Sequence, residues 1–355
     1  MSMVLSEMTE YDHEQVIFGR DEASGLRAII AIHNTTLGPA AGGVRIWPYE
    51  TEEEALTDVL RLSRGMTYKT AALGANIGGG KSVIIADSRK DKSEELLRAF
   101  GRMVHSLGGR YYTAEDVGAA PQDLLAIREE TPYVLGLPSI SGDSSPVTAK
   151  GVLSGIKACA EHVWGSSVLS GKRIAVQGAG GVGFSLIQML LESGATVYAS
   201  DISKERMERA VGLGAVAVDT DKIFDVDADL FAPCALGGVL NDTTIPRLKV
   251  KVVCGAANNQ LLEHRHGNAL AERGILYAPD FVVNGGGMLN GTDEIGAGGY
   301  DRERAMSKVA RIYDILVRVF DMAARDRILP FEAAERLAEE RISKALQQKR
   351  MYLPR

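Results

Sequence analysis

The chain has 355 residues, about twice the length of a typical domain, so two domains with separate cores are expected. Hydrophobic residues make up 45% of it, which excludes a disordered chain. The 40 Lys and Arg against 46 Asp and Glu give a formal net charge of −6, and long basic runs are missing, so nucleic acid and anionic membranes are not expected partners.

The cysteines and the N-terminus predict a cytoplasmic protein. Cys159, Cys234 and Cys254 are too few and too scattered for a disulfide framework or a cysteine-rich zinc site, so reduced, buried thiols and no metal are expected. Residues 1–12 are acidic and lack the apolar segment of a secretory signal. No segment of the sequence approaches the run of about 20 apolar residues that spans a membrane.

Predicted strands and helices alternate in the first third of the chain. The second of two predicted helices has an apolar stripe at helical spacing, and a short buried strand follows a glycine cluster. In chain order the elements are a strand over 26–32, a helix over 52–65, a strand over 82–86 and a helix over 94–107.

The segment 139–146 is small, polar and closed by a proline, which is typical of a linker. The pattern beyond it indicates a βαβ unit with further strands and then a long helical end. The predicted elements are a helix over 147–163, a strand over 173–177, a helix over 183–193, a strand over 196–200, strands over 230–232 and 250–255, and helices within 302–348.

These elements predict an α/β protein of two domains. An N-terminal α/β catalytic domain is expected over 1–145 and a Rossmann-type dinucleotide-binding domain over 146–325. A C-terminal helical segment, 326–355, is expected to return and pack on the first domain.

A glycine loop between the predicted strand and helix has the pattern of a dinucleotide-binding turn. Gly178 would allow the tight turn, Gly180 would let the backbone approach a pyrophosphate, and Gly183 would let the helix pack closely on the strand. With Gly181 and Val182 they precede a helix whose first N–H groups favour phosphate. The alternative is a glycine turn in a sheet that binds no ligand.

Asp201 ends the next predicted strand, where a carboxylate accepts hydrogen bonds from the adenosine ribose of NAD and repels the 2′-phosphate of NADP. NAD is therefore the expected cofactor, although Lys204 and Arg206 follow closely and would weaken that discrimination. In the alternative interpretation Asp201 only caps a helix.

A lysine follows three glycines at Lys81, and a second lysine, Lys69, lies upstream. Successive glycines expose backbone and would leave room for a substrate. A lysine that is partly desolvated and near another cation has a lowered pKa and can act as a general base, with Asp116 as a proton partner. Solvated surface lysines are the alternative. A phosphate-binding P-loop is disfavoured because Asn76 stands where that motif requires glycine.

Eight short motifs follow one another along the chain. They are TLGPAAGGVR (36–45), GMTYK (65–69), GGGKSVI (78–84), TAEDV (113–117), PVTAKGV (146–152), FAPCALGG (231–238), GAANNQL (255–261) and YAPDFVVNGGG (277–287). In these motifs the chain resembles the glutamate, leucine, phenylalanine and valine dehydrogenase family over essentially its whole length. Within the family its length and motifs are most similar to leucine dehydrogenases, with phenylalanine dehydrogenases next.

The resemblance implies an NAD-dependent, reversible oxidative deamination and assigns roles to residues. Lys69, helped by the backbone of Gly42 and Gly43, would bind the substrate carboxylate. Lys81 would activate the attacking water, and Asp116 would carry protons to and from the amino group. The nicotinamide end would be contacted by Thr148, Ala256, Asn258 and Asn284.

The resemblance also bears on the substrate side chain. Ala41 stands where the glutamate enzymes carry a lysine, so an acidic substrate would be buried unpaired. Ala41 and Gly291 would enlarge the pocket, Met288 would partly refill it, and Ala114 would line it. Leucine, branched-chain substrates and phenylalanine all remain open, and compensating repacking with unchanged leucine specificity is the alternative.

Two other functions are alternatives to oxidative deamination. An NAD-dependent hydroxy-acid dehydrogenase would share the glycine loop but normally needs a histidine–acid relay, and no histidine lies in the motifs matched to catalysis. A non-catalytic nucleotide-binding protein would show no turnover. The expected partners are an amino acid or its 2-oxo acid and ammonia, and the resemblance implies a homo-oligomer.

Overall fold

A computed structural model describes residues 3–296, 298–347 and 352. They form two compact units. Unit 1 holds the described residues of Met1–Gly142, Gly291–Tyr300 and Leu337–Arg355, and unit 2 holds Asp143–Asn290 and Asp301–Arg336. Each unit contains one β-sheet with helices, which confirms the predicted α/β class.

Unit 1 is built on a five-stranded mixed sheet in the order β1-β2-β4-β3-β5. β2 is antiparallel to β1 and to β4, whereas β3 is parallel to β4 and to β5. The strands are β1 (Gln15–Asp21), β2 (Leu26–Asn34), β3 (Ala40–Trp47), β4 (Gly78–Ile85) and β5 (Tyr111–Glu115). The first helices of the chain are α1 (Met3–Tyr11), α2 (Glu52–Ala72), α3 (Glu94–His105) and α4 (Asp123–Arg128).

The helix α2 begins and packs as the sequence dictates. The hydroxyl of Thr51 accepts a hydrogen bond from the amide of Glu54, and the glutamates of the first turn suit the positive end of the helix dipole. Its predicted apolar residues Ala55 and Val59 are buried against the sheet. The predicted end at residue 65 is wrong, because the helix continues to Ala72 and so carries Lys69 in its last turn.

The prediction for the glycine cluster before Lys81 is also wrong. Gly78, Gly79 and Gly80 lie inside the buried strand β4 and leave no open backbone for a ligand. A β-carbon on Gly79 would lie 2.1 Å from the Thr67 hydroxyl of α2. These glycines therefore serve close packing, and Gly79 lets the helix that carries Lys69 lie directly on the strand that carries Lys81.

Unit 2 is built on a six-stranded sheet in the order β11-β10-β9-β6-β7-β8, with every pair of neighbours parallel. Its strands are β6 (Arg173–Gln177), β7 (Thr196–Ser200), β8 (Val216–Ala217), β9 (Leu230–Pro233), β10 (Val252–Val253) and β11 (Leu276–Tyr277). The remaining helices of the chain are α5 (Ser144–Trp164), α6 (Gly181–Glu192), α7 (Lys204–Gly212), α8 (Arg265–Glu272), α9 (Asp280–Val283), α10 (Gly286–Thr292), α11 (Arg302–Ala310), α12 (Ile312–Asp326) and α13 (Pro330–Leu346).

The strand order places a topological switch point between β6 and β9, since the chain runs outward from β6 on both sides. Ligands of open parallel sheets bind at the carboxyl ends of the strands at such a point. The glycine loop of residues 178–183 follows β6 there, as the sequence predicts.

The chain passes between the units at points that differ from the predicted boundaries at 145 and 325. Residues 291–300 belong to unit 1, and the return to unit 1 begins at Leu337. Phe331 explains why the return is late: its ring is buried in the core of unit 2, where it packs edge-on against His264 at 4.5 Å between ring centres. The last residue of the predicted helical region, Gln348, lies outside the described residues.

Two of the three cysteines are buried, as the sequence predicts. Cys159 and Cys254 are buried free thiols, whereas Cys234 is only half-buried and also free. Across residues 3–296 and 298–347, the structure contains no helix with the length and hydropathy of a membrane span.

Two histidines are buried together under α2. His13 accepts or donates at 2.8 Å with the Ser63 hydroxyl, and His33 bonds both the Thr67 hydroxyl at 2.8 Å and the Tyr11 carbonyl at 2.9 Å. Because that carbonyl can only accept, His33 carries its proton on Nε2. Burial is the main cause that lowers the pKa of each histidine to about 4.

This pair predicts a loss of stability in mild acid. Between pH 6.5 and about 4 these histidines are protonated in the unfolded chain but stay neutral in the folded protein. The free energy of unfolding therefore falls as pH falls through that range. Each histidine contributes at most about 3 kcal/mol to this loss. Urea unfolding at pH 7.5, 6 and 5 should show a shallower pH slope for His33→Gln than for wild type. His105→Gln, at an exposed site on α3, should keep the wild-type slope.

Candidate active site

A buried ion pair joins Lys81 of β4 to Asp116, the residue after β5. The Lys81 Nζ lies 3.0 Å from Asp116 Oδ1, and the two side chains are 7% and 21% exposed. The parallel strands β3, β4 and β5 bring these residues together, although 35 positions separate them in the sequence. The predicted lysine–carboxylate partnership is therefore present as geometry.

The surroundings of the pair lower the pKa of both groups. Burial lowers the pKa of Lys81 below its usual range, against the opposing charge of Asp116. Burial alone would raise the pKa of Asp116, but the Lys81 and Arg45 cations outweigh it and hold that pKa below its usual range. The arrangement provides a lysine that loses its proton more readily than an ordinary lysine, beside a carboxylate whose pKa is held low.

Arg45 of β3 is a member of this centre that sequence reasoning missed. Its Nε donates to Asp116 Oδ2 at 2.9 Å and one terminal nitrogen donates to Asp58 Oδ2 at 2.9 Å. Asp58 also accepts from the Tyr49 hydroxyl at 2.5 Å. The alternation of β3 was a usable signal, because Arg45 is two positions from Gly43 and hence on the same face of the sheet.

Gly42 and Gly43 are enclosed by backbone. A β-carbon on Gly42 would lie 1.8 Å from the Gly80 carbonyl oxygen, and one on Gly43 would lie 2.1 Å from that of Glu115. The Gly42 carbonyl accepts from the buried Tyr111 hydroxyl at 2.6 Å. The absence of side chains thus lets β3 fit between its neighbours and brings Gly43 next to Asp116.

Ala41 belongs to a small apolar cluster at the start of β3. It is 3% exposed and packs with Ile77 and Leu135, while the half-buried members are Tyr112, Ala114 and Ile295. Gly291 adjoins this region, since a β-carbon on it would lie 3.8 Å from the backbone nitrogen of Gly136. Three predicted pocket residues, Ala41, Ala114 and Gly291, therefore lie around one apolar region of unit 1.

Lys69 lies in the last turn of α2, and an arginine from the C-terminal helix holds the end of that helix. Arg341 of α13 donates to the carbonyls of Ala75 at 2.6 Å, Ala71 at 3.3 Å and Thr70 at 3.4 Å. It also donates to the Asn76 side chain at 2.8 Å. A cation at these carbonyls adds charged donors at the negative end of the helix dipole, where Thr70 and Ala71 also accept from the amides of Ala75 and Gly74.

In unit 2 the glycine loop has the conformation and space that a dinucleotide requires. Gly178 has φ +97°, in the left-handed region that favours glycine. A β-carbon on Gly183 would lie 1.9 Å from the Gly178 carbonyl oxygen, so the helix packs tightly on the turn. A β-carbon on Gly180 would meet only a terminal nitrogen of Arg206, at 3.8 Å, so the space beside this glycine is open. The helix α6 begins there without a hydrogen bond from a capping side chain. Gly181 and Val182 form its first turn, which leaves N–H groups for an anion.

Asp201 is tied to this loop. One oxygen accepts from the Ala179 amide at 2.8 Å and the other from the Ser203 amide at 2.9 Å. The Asp201 side chain is 6% exposed, and an Arg206 nitrogen lies 3.8 Å from it. The cap of α7 is the Ser203 hydroxyl, so the interpretation of Asp201 as the helix cap is wrong.

Ile202 is a second residue that sequence reasoning missed. It is 93% exposed immediately after Asp201, and Leu236, in the loop after β9, is 81% exposed. Large apolar side chains left open beside a glycine loop are suited to a flat apolar ring.

The residues predicted for the nicotinamide end lie together. The Asn284 amide donates to Asn258 Oδ1 at 2.7 Å and to the Ala256 carbonyl at 3.2 Å. Thr148 lies in the first turns of α5, against Gly287 of α10. Met288, the next residue of that helix, is half-buried. Polar groups thus gather at the carboxyl end of β10, where a parallel sheet binds its ligand.

A parallel sheet with a glycine loop, in a chain that also carries a buried lysine–carboxylate pair, defines an α/β oxidoreductase of the dehydrogenase class. Profiles of two domains match the sequence. "Glu/Leu/Phe/Val dehydrogenase, dimerisation domain" matches residues 13–133, and "Glutamate/Leucine/Phenylalanine/Valine dehydrogenase" matches residues 202–350.

Named relatives agree with these profiles. Leucine dehydrogenase of Geobacillus stearothermophilus is 56% identical over 94% of this chain and 92% of its own. Phenylalanine dehydrogenase of Caldalkalibacillus thermarum is 50% identical over 97% of this chain and 95% of its own. The crystal structure of L-tryptophan dehydrogenase from Nostoc punctiforme superimposes with a TM-score of 0.86, at 46% identity, over 97% of this chain and 99% of that one.

The chain belongs to the glutamate, leucine, phenylalanine and valine dehydrogenase family. It is an amino-acid dehydrogenase, an oxidoreductase that catalyses oxidative deamination. The predicted family and enzyme class are confirmed.

Proposed function

We propose that this enzyme uses NAD to convert a large apolar L-amino acid reversibly into its 2-oxo acid and ammonia. The observation that carries the proposal is the buried Lys81–Asp116 pair, with 3.0 Å between its charged atoms. A lysine whose pKa is lowered by burial, beside a carboxylate whose pKa is held low, is the acid–base equipment that oxidative deamination needs.

Each group of the centre has a role in the proposed reaction. Lys69 binds the substrate carboxylate with the backbone of Gly42 and Gly43, which fixes the α-carbon. Asp116 removes a proton from the substrate ammonium, so that the nitrogen lone pair can form the iminium as the α-hydrogen leaves with its bonding electrons, for which bound NAD would be the acceptor. Lys81 takes a proton from water as its oxygen attacks the iminium carbon, and Lys81 then releases that proton to solvent. Asp116 returns a proton to the nitrogen, and ammonia departs as the C–N bond breaks, while the hydroxyl on the same carbon gives its proton to Lys81 and becomes the carbonyl of the 2-oxo acid.

The loop of residues 178–183 and Asp201 fit a dinucleotide. Open space above Gly180 and an uncapped start of α6 suit the pyrophosphate. Each oxygen of Asp201 has one amide donor and a further lone pair for a ribose hydroxyl. Ile202 would contact the adenine, and Thr148, Ala256, Asn258 and Asn284 the nicotinamide. When bound, NAD supplies the hydride acceptor.

The substrate class follows from the lining of unit 1. The apolar region there includes Ala41, Ala114, Leu135 and Ile295. The γ-carboxylate of a glutamate substrate would lose its hydration in this region, and Ala41 offers no positive charge to compensate. The small residues Ala41 and Gly291 favour bulky side chains, including leucine, phenylalanine and larger aromatics. The role predicted for Met288, a residue of unit 2, stays a prediction.

A homo-oligomer and a cytoplasmic location complete the proposal. The homo-oligomer is supported by the match of residues 13–133 to a domain described as a dimerisation domain. Sedimentation of the purified protein tests the assembly, and a mass equal to one chain at micromolar concentration would contradict it.

Arg341→Ala should weaken both the fold and substrate binding. The loss of charged hydrogen bonds to three carbonyls is expected to lower the free energy of unfolding by about 2 kcal/mol. Because the same turn of α2 carries Lys69, the KM for the amino acid should rise while the KM for NAD stays unchanged. The control is Lys90→Ala, which removes an exposed surface ion pair with Asp87. It should change neither the free energy of unfolding nor the KM for the amino acid.

The test of the proposal compares kcat/KM for leucine, phenylalanine, tryptophan and glutamate with NAD and with NADP. We expect turnover of the apolar substrates, none of glutamate, and preference for NAD. Efficient use of glutamate would refute the pocket assignment, and preference for NADP would refute the role of Asp201.

A further inference from the structure

The centre of unit 1 continues outward through Arg45. From Lys81 the contacts run to Asp116, then to Arg45, then to Asp58, and end at the Tyr49 hydroxyl. The exposed fraction of the charged side chains rises along this row, from 7% for Lys81 to 30% for Asp58. Two cations alternate with two carboxylates, so the row is neutral overall.

Arg45 is held at two points. Its Nε donates to Asp116 at 2.9 Å and one terminal nitrogen donates to Asp58 at 2.9 Å. Asp58 lies on α2 and is held in turn by the Tyr49 hydroxyl at 2.5 Å. A planar guanidinium that bridges two carboxylates has little freedom to rotate. Lysine could not form this bridge, because its ammonium is a single point charge.

Asp116 in turn is held by both cations. Oδ2 contacts Arg45, and Oδ1 contacts Lys81. A carboxylate that exchanges protons with a substrate nitrogen must present one oxygen in a constant direction. The bond from Arg45 to Oδ2 leaves Oδ1 as the oxygen on the Lys81 side.

We propose that Arg45 is a positioning residue for Asp116 and that Asp58 and Tyr49 hold Arg45 in place. Through this row, α2 and β3 together set the direction of the carboxylate that carries protons in the reaction. The inference rests on the proposed function of Asp116. It predicts that removing Arg45 changes kcat and its pH dependence, while the affinity for the dinucleotide stays the same.

The expected pH effect follows from the charges around Lys81. Those that act on it most are Asp116, Arg45 of β3 and Asp58 of α2. Lys69 and His33 lie on α2 and β2, which also pack on β4. Arg45 lowers the pKa of Lys81 and of Asp116, so its removal raises both. If catalysis needs neutral Lys81, the acidic limb of the kcat/KM profile moves to higher pH.

Four full-length variants test the inference: Arg45→Gln, Arg45→Lys, Asp58→Asn and Tyr49→Phe. Arg45→Gln should lower kcat by about 100-fold and move the acidic limb upward. Arg45→Lys keeps the charge without the bridge, so the limb should stay in place while kcat falls. Asp58→Asn removes a charge that raises the pKa of Lys81, and its limb should move to lower pH. Tyr49→Phe changes no charge and should lower kcat a few-fold with the limb in place.

The inference is overturned if the acidic limb of the kcat/KM profile does not move in Arg45→Gln and the loss of kcat is no larger than the loss of folded protein. Circular dichroism measures the folded fraction. If Arg45→Gln does not fold, Asp58→Asn and Tyr49→Phe decide: wild-type kcat and limb in both would overturn it equally. Lys81→Ala assayed alongside separates the two proposals. An active Lys81→Ala enzyme sinks the proposed function, whereas an inactive one beside a fully active Arg45→Gln enzyme sinks only the role of Arg45.

Discussion

Lys81→Ala is expected to lower kcat by about 1,000-fold, because the reaction loses the base that activates water. The KM for NAD should change little, since the substitution leaves the glycine loop of residues 178–183 and Asp201 intact. Asp116 keeps Arg45 as a partner, so the variant should fold. Single-turnover and steady-state rates with leucine, with NAD binding followed by fluorescence, make the measurement.

The matched control for this change is Lys92→Ala. Lys92 forms a similar lysine–aspartate pair, 2.7 Å from Asp123, in the same unit. Loss of that pair should leave kcat close to wild type. Equal losses of activity in the two variants would mean that Lys81 acts only through the fold, and near-normal turnover of Lys81→Ala would remove it as the base.

Gly42→Ala is expected to be the most destabilising single methyl addition in the centre of unit 1. The added carbon would lie 1.8 Å from the Gly80 carbonyl oxygen, so two central strands would have to separate. Overpacking against backbone of this kind should lower the free energy of unfolding by about 4 kcal/mol. Urea unfolding monitored by circular dichroism measures it.

Gly65→Ala is the matched control for that methyl addition. Gly65 lies in the interior of α2 on an exposed face, and a β-carbon there would meet nothing within 4 Å. The substitution should stabilise the protein by about 0.5–1 kcal/mol, the helix-propensity gain of alanine over glycine. A Gly42→Ala protein as stable as wild type would show that β3 and β4 pack less closely than described.

Local chemistry explains which parts of the site the sequence predicted. The glycine loop and Asp201 lie within one βαβ unit, where spacing alone determines which residues meet. The cap at Thr51 and the stripe of α2 are likewise local signals. Residue type and the family motifs predicted Lys81 and Asp116 as site residues. The contact between them depends on the spatial order of β3, β4 and β5.

Other features could not be predicted because distant segments create them. Arg341 reaches the last turn of α2 from 270 and 271 residues away along the chain, and nothing near it in sequence indicates that contact. The bridge from Arg45 to Asp58 and Asp116 depends on the height at which α2 lies over the sheet. That height is set by Gly79, whose role was misjudged because a glycine triplet looks the same in an open loop and in a crowded strand.

The most direct test of the central claim is NADH oxidation with the 2-oxo acid of leucine, with and without ammonium, by wild type and Lys81→Ala. We predict rapid oxidation by wild type only when ammonium is present, and a rate about 1,000-fold lower for Lys81→Ala. Oxidation that proceeds equally well without ammonium would indicate a hydroxy-acid dehydrogenase and contradict the account.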